Sequence, residues 1–349
     1  ALEVSRDSVA AYVDLEFRPV EGFAIGVAGR AEHYSDFGET VNGKLSARYD
    51  FSPAFALRGA VSSGFRAPSL QQSYFTSTAS VVQAPLILET GTYPANSAIA
   101  RALGARDLEP ESSLNLSLGA VFRSGDFSLT VDAYQIEIDN QLGLSENIAA
   151  SFSPQVAAIL APFGVQAARF FINGIETRTR GLDLVASYRL RSEGAGIFNL
   201  TLAGNINEID VLSVPTTTAT LNPAPTLFAR TRILTLEQGT PDTKVIAAVD
   251  WSLDRVGATV RGTYHASVLQ PGATAAADLN TGDRVLVDLE LRYEVLDGVR
   301  LAVGADNLFD VYPNHVPAAL NTTGVTAFPF YSPFGFNGRY LYARLSLDL

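Results

Sequence analysis

The sequence predicts an all-β fold, a transmembrane antiparallel β-barrel with up-and-down strand order. Three patterns support this fold class: apolar and polar residues alternate, the alternating segments are long, and short connections alternate with long ones. A tilted strand needs roughly ten residues to cross a bilayer, whereas strands of soluble domains usually have about five or six. The patterns together favour a membrane barrel over a soluble sheet protein.

Alternation with a period of two is clear between residues 112 and 123. Leu114, Leu116 and Leu118 share one face of this segment, and Asn115 and Ser117 lie on the other. About thirteen segments fit the same template, and many of them run for roughly ten residues. They start near Ser8, Phe23, Thr40, Phe55, Ser112, Phe127, Gly181, Ile197, Thr243, Val256, Arg284, Arg300 and Gly338. An odd number does not close such a barrel, so we expect further strands before residue 1.

The connections between these segments alternate in length along the chain. Short ones lie at 19–22, 52–54, 124–126, 192–196, 254–255 and 297–299, and long ones follow residue 66 and occupy 140–180, 208–242 and 310–337. Outer-membrane barrels have short periplasmic turns and long extracellular loops, so we assign the short connections to the periplasmic side. Aromatic residues flank the short turns and predict a girdle there: Phe17, Phe23, Tyr49, Phe51, Phe55, Phe122, Phe127 and Trp251.

Composition excludes several other classes of protein. The net charge is −11 with a pI near 4.8, which argues against binding nucleic acid. The chain has no cysteine, so it forms no disulfide or thiolate metal site. No apolar run reaches the roughly 18 residues of a transmembrane helix. Because no nucleophile elbow, zinc helix or phosphate-binding loop is present, we predict no enzyme, no catalytic residues, no cofactor and no metal site.

Candidate substrate-binding residues are those that alternation and loop order put at the extracellular mouth. Arg66 suits a carboxylate or phosphate, although a structural role is favoured, and the QQSYF stretch at 71–75 mixes amides with aromatic rings. A shared histidine site is disfavoured because His33 faces lipid and His265 faces the lumen. An apolar run at 156–160 favours a short helix, which folds over the mouth or packs on the wall. The candidates are Arg30, Glu32, Arg66, Gln71, Gln72, Tyr74, His265 and Tyr312.

Charged residues on the polar faces point into the lumen in this interpretation. We expect most of them to pair with neighbours in the wall, and a direct substrate contact is disfavoured for any one of them. They are Arg30, Glu32, Lys44, Arg48, Arg58, Asp183, Arg189, Arg261, Asp288, Glu290, Arg292 and Arg344.

Five ordered motifs resemble the C-terminal barrel of TonB-dependent outer-membrane receptors. They are GFRAPSL at 64–70, LEPE at 108–111, FSLTVDAYQIEIDN at 127–140, the pair NG at 173–174 with TRGLD at 179–183, and NLFD at 307–310. Each motif is weak evidence alone, but their order and spacing match the family across most of the chain. The resemblance makes residues 1–349 the C-terminal part of a barrel of about 22 strands that an N-terminal plug domain fills.

The resemblance also implies a function, the active import of a scarce nutrient across the outer membrane. A siderophore-type iron complex is the favoured substrate, and cobalamin, haem or an oligosaccharide remain open. The implied partners are a plug domain or companion fragment, the TonB–ExbB–ExbD complex acting through that part, outer-membrane lipid and lipopolysaccharide, and a small-molecule substrate. Two alternatives stand beside it: a passive porin-like channel and a soluble all-β binding module.

Overall fold

The computed structural model describes residues 3–83, 86–215, 220–321, 324 and 327–347. The strands are β1 Ser8–Val20, β2 Phe23–Tyr34, β3 Gly38–Ser52, β4 Phe55–Arg66, β5 Ser77–Gln83, β6 Leu86–Tyr93, β7 Glu111–Ser124, β8 Phe127–Leu144, β9 Ile148–Ala149, β10 Ala167–Ser192, β11 Gly196–Ser213, β12 Thr243–Leu253, β13 Val256–His265, β14 Leu269–Gln270, β15 Leu279–Asn280, β16 Arg284–Leu296, β17 Val299–Asp306 and β18 Tyr340–Leu347. The α-helices are α1 Leu70–Tyr74, α2 Ala98–Ala102, α3 Pro154–Leu160 and α4 Arg230–Gln238. Within the described ranges, none of the helices combines the length and the hydropathy needed to span a membrane.

Thirteen strands form one continuous antiparallel wall. Their order is β1-β2-β3-β4-β7-β8-β10-β11-β12-β13-β16-β17-β18, so each strand pairs with the next wall strand along the chain. This order confirms the predicted up-and-down topology and the thirteen predicted segments. In the described part of the chain, β1 and β18 each pair with one wall neighbour only, and the wall is therefore not closed.

Two of the predicted long loops are shorter than expected. Strand β8 continues to Leu144 and β10 begins at Ala167 instead of near Gly181, while β11 continues to Ser213. Residues 176–180 of β10 are all polar, and Arg178 pairs with Glu137 on the same face as Leu182, whereas the earlier part of β10 places Ala168, Phe170 and Ile172 in a buried apolar core. Alternation of apolar and polar residues vanishes there, which is why the sequence pattern placed the strand ends too early.

The two faces of the wall differ as predicted. On the outer face Leu200, Val249 and Val260 are directly opposite one another, and apolar side chains such as Leu118 and Leu345 are 64% and 62% exposed. The inner face carries charged pairs such as Arg58–Asp132 and Arg344–Glu290. A continuous band of exposed apolar side chains is unfavourable in water but matches the hydrocarbon of a bilayer. The antiparallel hydrogen bonds between strands satisfy the backbone N–H and C=O groups there.

Aromatic rings contact one another at the short-turn end of the wall. Tyr49 lies between Phe23 and Phe51, with ring centroids 6.1 Å and 4.6 Å apart respectively. At another turn the Trp251 indole donates a 2.7 Å hydrogen bond to the Ala195 carbonyl. These contacts agree with the predicted girdle, in which apolar rings with one polar edge suit the membrane surface.

Three long loops at the opposite end pack into a separate hydrophobic core, here called the loop core. It draws residues from the connections β4–β7, β8–β10 and β11–β12 and from the start of β10: Ala95, Ile99, Ala100, Leu103, Ala105, Ile148, Val156, Leu160, Val165, Ala168, Phe170, Ile172, Ile175, Leu221, Leu227 and Phe228. The predicted helix at 156–160 is confirmed as α3, whose N-terminus is capped by the Ser153 side chain. Because Val156 and Leu160 are fully buried, α3 packs inside the loop core.

The sequence patterns did not predict several further loop elements, among them β5, β6 and α4. Strands β5 and β6 form a hairpin, and β6 pairs in parallel with residues 167–170 of β10. Helix α4 lies in the β11–β12 connection and has no long apolar stripe in its sequence. Strand β10, with 26 residues, thus belongs to the wall at one end and to the loop core at the other.

Candidate functional site

Three of the family-like motifs meet where β4 reaches the loops. Arg66 is directly opposite Glu111, and its Nη2 lies 2.5 Å from Glu111 Oε1. The same carboxylate oxygen accepts the backbone N–H of Leu142 at 2.7 Å. Glu111 is 5% exposed, so its negative charge depends on these two donors for compensation. This ion pair supports the structural role predicted for Arg66. It uses Nη2 of the guanidinium group.

The third motif joins the same junction through Asn173. Its side-chain Oδ1 accepts the N–H of Glu109 at 2.9 Å, and its Nδ2 donates to the Glu109 carbonyl at 2.8 Å. Nδ2 also donates to the Asn140 carbonyl at 2.9 Å. One amide therefore connects the start of β7 with β8 and β10. The LEPE and NG motifs lie far apart in sequence but adjacent in the fold.

A cavity of about 380 Å³ opens beside this junction, and we call it the Arg66 cavity. It is lined by Arg66, Ala67, Ser69, Gln71, Gln72, Phe75 and Phe171. Helix α1 holds three of these residues in place through a capping box, in which Ser69 Oγ accepts the N–H of Gln72 and Gln72 Oε1 accepts the N–H of Ser69. Three of the predicted candidates, Arg66, Gln71 and Gln72, thus line one cavity.

The fourth candidate in this loop, Tyr74, points to a different cavity on the other side of α1. That cavity has a volume of about 150 Å³ and includes the carboxylates of Asp36 and Asp107. Arg6 donates to both carboxylate oxygens of Asp36, and Asp107 is paired with Arg101. Helix α1 therefore separates an arginine-lined cavity from one that contains already paired carboxylates.

Arg30 and Glu32 form their own cluster on the inner face. Arg30 Nη2 lies 2.8 Å from Glu32 Oε1, which also accepts the Tyr34 hydroxyl at 3.1 Å. Arg30 lines a groove of about 330 Å³ with Lys44 and Tyr12. None of the residues lining this groove lines the Arg66 cavity.

The remaining two candidates lie near the last long loop. His265 is 7% exposed, its ring centroid is 5.5 Å from that of Phe334, and its Nδ1 has no hydrogen-bond partner among the described residues. Tyr312 stacks on Phe328 at 5.4 Å. The hydrogen bond to Asp310 raises the pKa of Tyr312 above its ordinary value, since it stabilises the protonated phenol. The eight candidates therefore lie in several places and do not form a single cluster.

The three histidines have different neighbours in the structure. His33 is 4.0 Å from Glu39, and His315 packs on Phe328, whereas His265 packs on Phe334. Across the described residues, no group of three His, Cys, Asp or Glu side chains is arranged to hold a metal ion.

Several charges on the inner face pair with one another, as predicted. Arg58 makes a bidentate ion pair with Asp132 at 3.0 Å and 2.6 Å. Glu290 accepts hydrogen bonds from Arg344 and Tyr342, also at about 3.0 Å. Because these groups neutralise one another, they are poor candidates for direct substrate contacts. Sequence patterns identified the charged face but not the partners.

An ion pair fastens α4 to the loop between β13 and β16. Arg230 donates to both carboxylate oxygens of Asp278 at 2.8 Å and 2.6 Å, and also to the Gly272 carbonyl. Asp278 additionally accepts the N–H of Gly272 at 2.9 Å. These donors, Arg230 first, lower the pKa of Asp278 to about 2. We call this arrangement the α4 clasp.

The antiparallel wall, with its exposed apolar outer face and with short turns and long loops at opposite ends, defines a class of protein, an outer-membrane barrel. A family model described as the TonB-dependent receptor-like β-barrel matches residues 3–308, and the chain belongs to this family. It is accordingly an integral outer-membrane protein, which excludes the soluble all-β alternative.

Similar proteins come from iron-regulated and siderophore systems. The chain is 21% identical over 319 residues to the iron-regulated outer membrane virulence protein of Vibrio cholerae, covering 89% of this chain and 42% of that protein. A mutant of the ferric enterobactin receptor PfeA of Pseudomonas aeruginosa, solved in complex with enterobactin, has a TM-score of 0.64 at 13% identity and covers 98% of this chain. The siderophore receptor PirA of Acinetobacter baumannii has a TM-score of 0.63 at 13% identity, also covering 98%.

The chain spans less than half the length of these relatives. It covers 42% of the Vibrio protein, 45% of PfeA and 46% of PirA. At 13% identity the structural likeness shows the shared barrel fold, including the antiparallel wall described above.

Proposed function

We propose that this chain supplies barrel wall and substrate-facing loops to a receptor that imports a siderophore-type iron complex with energy from TonB. The Arg66 cavity is the observation that carries the proposal, because it offers an exposed cation, amides and aromatic rings at the loop end of the wall. The similarity to an iron-regulated protein and to siderophore receptors supports iron complexes over cobalamin, haem or oligosaccharide.

The proposed binding residues have different roles. Arg66, Gln71 and Gln72 contact the substrate in the Arg66 cavity. Arg30 and Glu32 lie on the inner wall, and we assign them to the substrate's path after it leaves the mouth. Tyr74, His265 and Tyr312 complete the proposed set at the loops: Arg30, Glu32, Arg66, Gln71, Gln72, Tyr74, His265 and Tyr312.

The proposed partners follow from the two faces of the wall. The outer face contacts outer-membrane lipid and lipopolysaccharide, and the polar inner face surrounds an N-terminal plug domain or companion fragment. Through that part the receptor engages the TonB–ExbB–ExbD complex. In this proposal residues 1–349 are the C-terminal part of the barrel, and they carry no catalytic step.

Energy coupling separates this proposal from the runner-up, a passive porin-like channel. We expect iron-limited cells that carry the receptor to accumulate radioactive iron from a ferric siderophore. This accumulation should stop when an uncoupler dissipates the proton gradient of the inner membrane. A matched strain without the receptor controls for other routes. Accumulation that continues unchanged with the uncoupler would support the passive channel instead.

Deletion of the loop at 67–107 should abolish uptake, but this deletion does not test substrate binding alone. The loop contributes Ile99 and Leu103 to the loop core, so its removal also exposes Phe170 and Ile175. Point variants in the Arg66 cavity test binding without this collateral loss of packing.

A further inference from the structure

The outer face of the wall has a hollow that spans the wall strands from β8 to β13, here called the outer hollow. Its volume is about 320 Å³, and apolar side chains of these strands line it. We propose that the outer hollow holds one acyl chain of a phospholipid from the membrane leaflet on the short-turn side. This inference rests on the outer-membrane location of the chain and not on the substrate that the receptor imports.

The hollow exists because small side chains lie beside large ones on the same face. At one level of the wall, Ala186 and Ala247 are the cross-strand neighbours of Leu202. The next level toward the short turns carries larger side chains, which follow one another across the strands: Tyr188, Leu200, Val249 and Val260. The two alanines leave the sides of these larger residues uncovered, so a ligand that fills the space gains dispersion contacts.

The chemistry of the hollow favours a hydrocarbon chain. Leu202 and Val260 are 44% and 45% exposed. Ser187 also borders the hollow, but its hydroxyl lies on the inner face, 2.7 Å from that of Ser128. Inside a membrane, packing contacts rather than burial from water determine what associates with an apolar surface. A flexible acyl chain can follow an irregular hollow of this kind, and the bilayer supplies such chains.

The position of the hollow along the strands places it in one leaflet. Ala247 lies six residues before Leu253, where β12 ends, which is about 20 Å along a strand. With a strand tilt of about 40°, this length corresponds to a height of about 15 Å, or half of a hydrocarbon core of about 30 Å. The hollow therefore lies in the leaflet next to the short turns, which we assign to the periplasmic side. That leaflet of an outer membrane contains phospholipid, whereas the opposite leaflet contains lipopolysaccharide.

Tyr188 gives the hollow a polar end. It is directly opposite Phe127, with which β8 begins after a short turn. Within the described part of the chain, the Tyr188 hydroxyl has no hydrogen-bond partner. Tyrosine at a membrane surface keeps its ring among apolar groups and its hydroxyl toward the polar headgroups. The Tyr188 hydroxyl therefore donates to an ester or phosphate oxygen of the lipid whose chain fills the hollow.

Lipid titration of the full-length receptor tests the outer hollow. Dipalmitoyl phosphatidylethanolamine is added to the delipidated receptor in detergent, and native mass spectrometry measures the Kd of the first bound lipid. We expect Ala247→Phe to weaken this binding by roughly tenfold or more, because the added ring occupies the space of the chain. Tyr188→Phe should weaken it by about two- to tenfold, the effect of one lost hydrogen bond.

A matched control separates the hollow from general contact with lipid. Ala133 lies on the same outer face, between Leu118 and Leu182, but does not line the hollow. We expect Ala133→Phe to bind the first lipid like wild type. Heat-modifiable gel mobility reports assembly of each variant, and Ala186→Phe replaces Ala247→Phe if that variant does not assemble.

The outcomes decide both the site and the source of the chain. Unchanged binding in assembled Ala247→Phe or Ala186→Phe overturns the proposal. An equal loss in Ala133→Phe also overturns it, because binding would then depend on the outer face in general. A second titration with lipid A tests the source. Lipid A that binds more tightly than the phospholipid and is lost in Ala247→Phe overturns the assignment to the periplasmic leaflet.

Discussion

At the scale of single residues, the inner wall is organised by side chains that reach across a neighbouring strand. The Arg58–Asp132 ion pair passes over Gly119 on the strand between them. A Cβ at 119 would lie 1.9 Å from Asp132 Oδ1, so any side chain there displaces the carboxylate. Tyr342 crosses Gly304 to reach Glu290 in the same way. Glycine therefore gives long polar side chains room to neutralise one another.

The α4 clasp makes a prediction about pH. The pKa of Asp278 lies near 2, below the ordinary value of 3.8, so its stabilising contribution is present above the ordinary value and is lost as pH falls through about 2. We expect carbon-13 NMR of the Asp278 carboxyl group to show this low midpoint. In Arg230→Gln the pKa should rise toward 3.8, because the principal donor is gone. A wild-type midpoint at the ordinary value would contradict the clasp.

At the scale of elements, the turn between β10 and β11 gives a matched pair of glycines. Gly194 and Gly196 both have positive φ, at 83° and 86°. A Cβ at 196 would lie 2.2 Å from the Ser252 backbone oxygen, whereas a Cβ at 194 has no atom within 4 Å. Each alanine carries a backbone cost of about 1–2 kcal/mol. Gly196→Ala should lose further stability, because the neighbouring backbone must shift.

The difference in stability between the two variants can be measured by gel electrophoresis. The measured quantity is the temperature at which the barrel changes from its folded to its unfolded mobility. We expect the transition temperature to decrease in the order wild type, Gly194→Ala, Gly196→Ala. Equal transitions for the two variants would show that backbone conformation alone, and not the approach to Ser252, determines the need for glycine.

At the scale of the whole molecule, the wall and the loop core depend on different surroundings. The wall exposes apolar residues on its outer face, while the loop core buries Leu103 and Phe170 within its own packing. Leu103→Ala should destabilise the loop core by about 2–5 kcal/mol. Protease digestion of intact cells should then cut the loops faster, while heat-modifiable mobility of the wall stays the same. Phe152→Ala, at a 41% exposed loop position, is the control and should change neither.

Loss of wall assembly in Leu103→Ala would contradict this independence. It would mean that the long strands β8, β10 and β11, which carry the loop core, need it in order to pair.

The sequence by itself determined the wall. Thirteen segments, their two faces, the short-turn end with its aromatic rings and helix α3 follow from periodicity and turn chemistry, which act within a few residues. Where both faces of a strand are polar, as at residues 176–180 of β10, this local signal disappears and the strand end was misplaced. The amides and arginine of the Arg66 cavity were also visible, since they are close together in sequence.

Only the tertiary structure decided which distant residues meet. Phe171 joins Arg66 in one cavity, and Asn173 binds Glu109, because strand register and loop packing bring separate segments together. Glu111 as the partner of Arg66, and Asp278 as that of Arg230, had no signal in the sequence pattern. Alternation fixes the face on which a side chain lies, but not its neighbour across strands. That choice depends on long-range pairing of the strands.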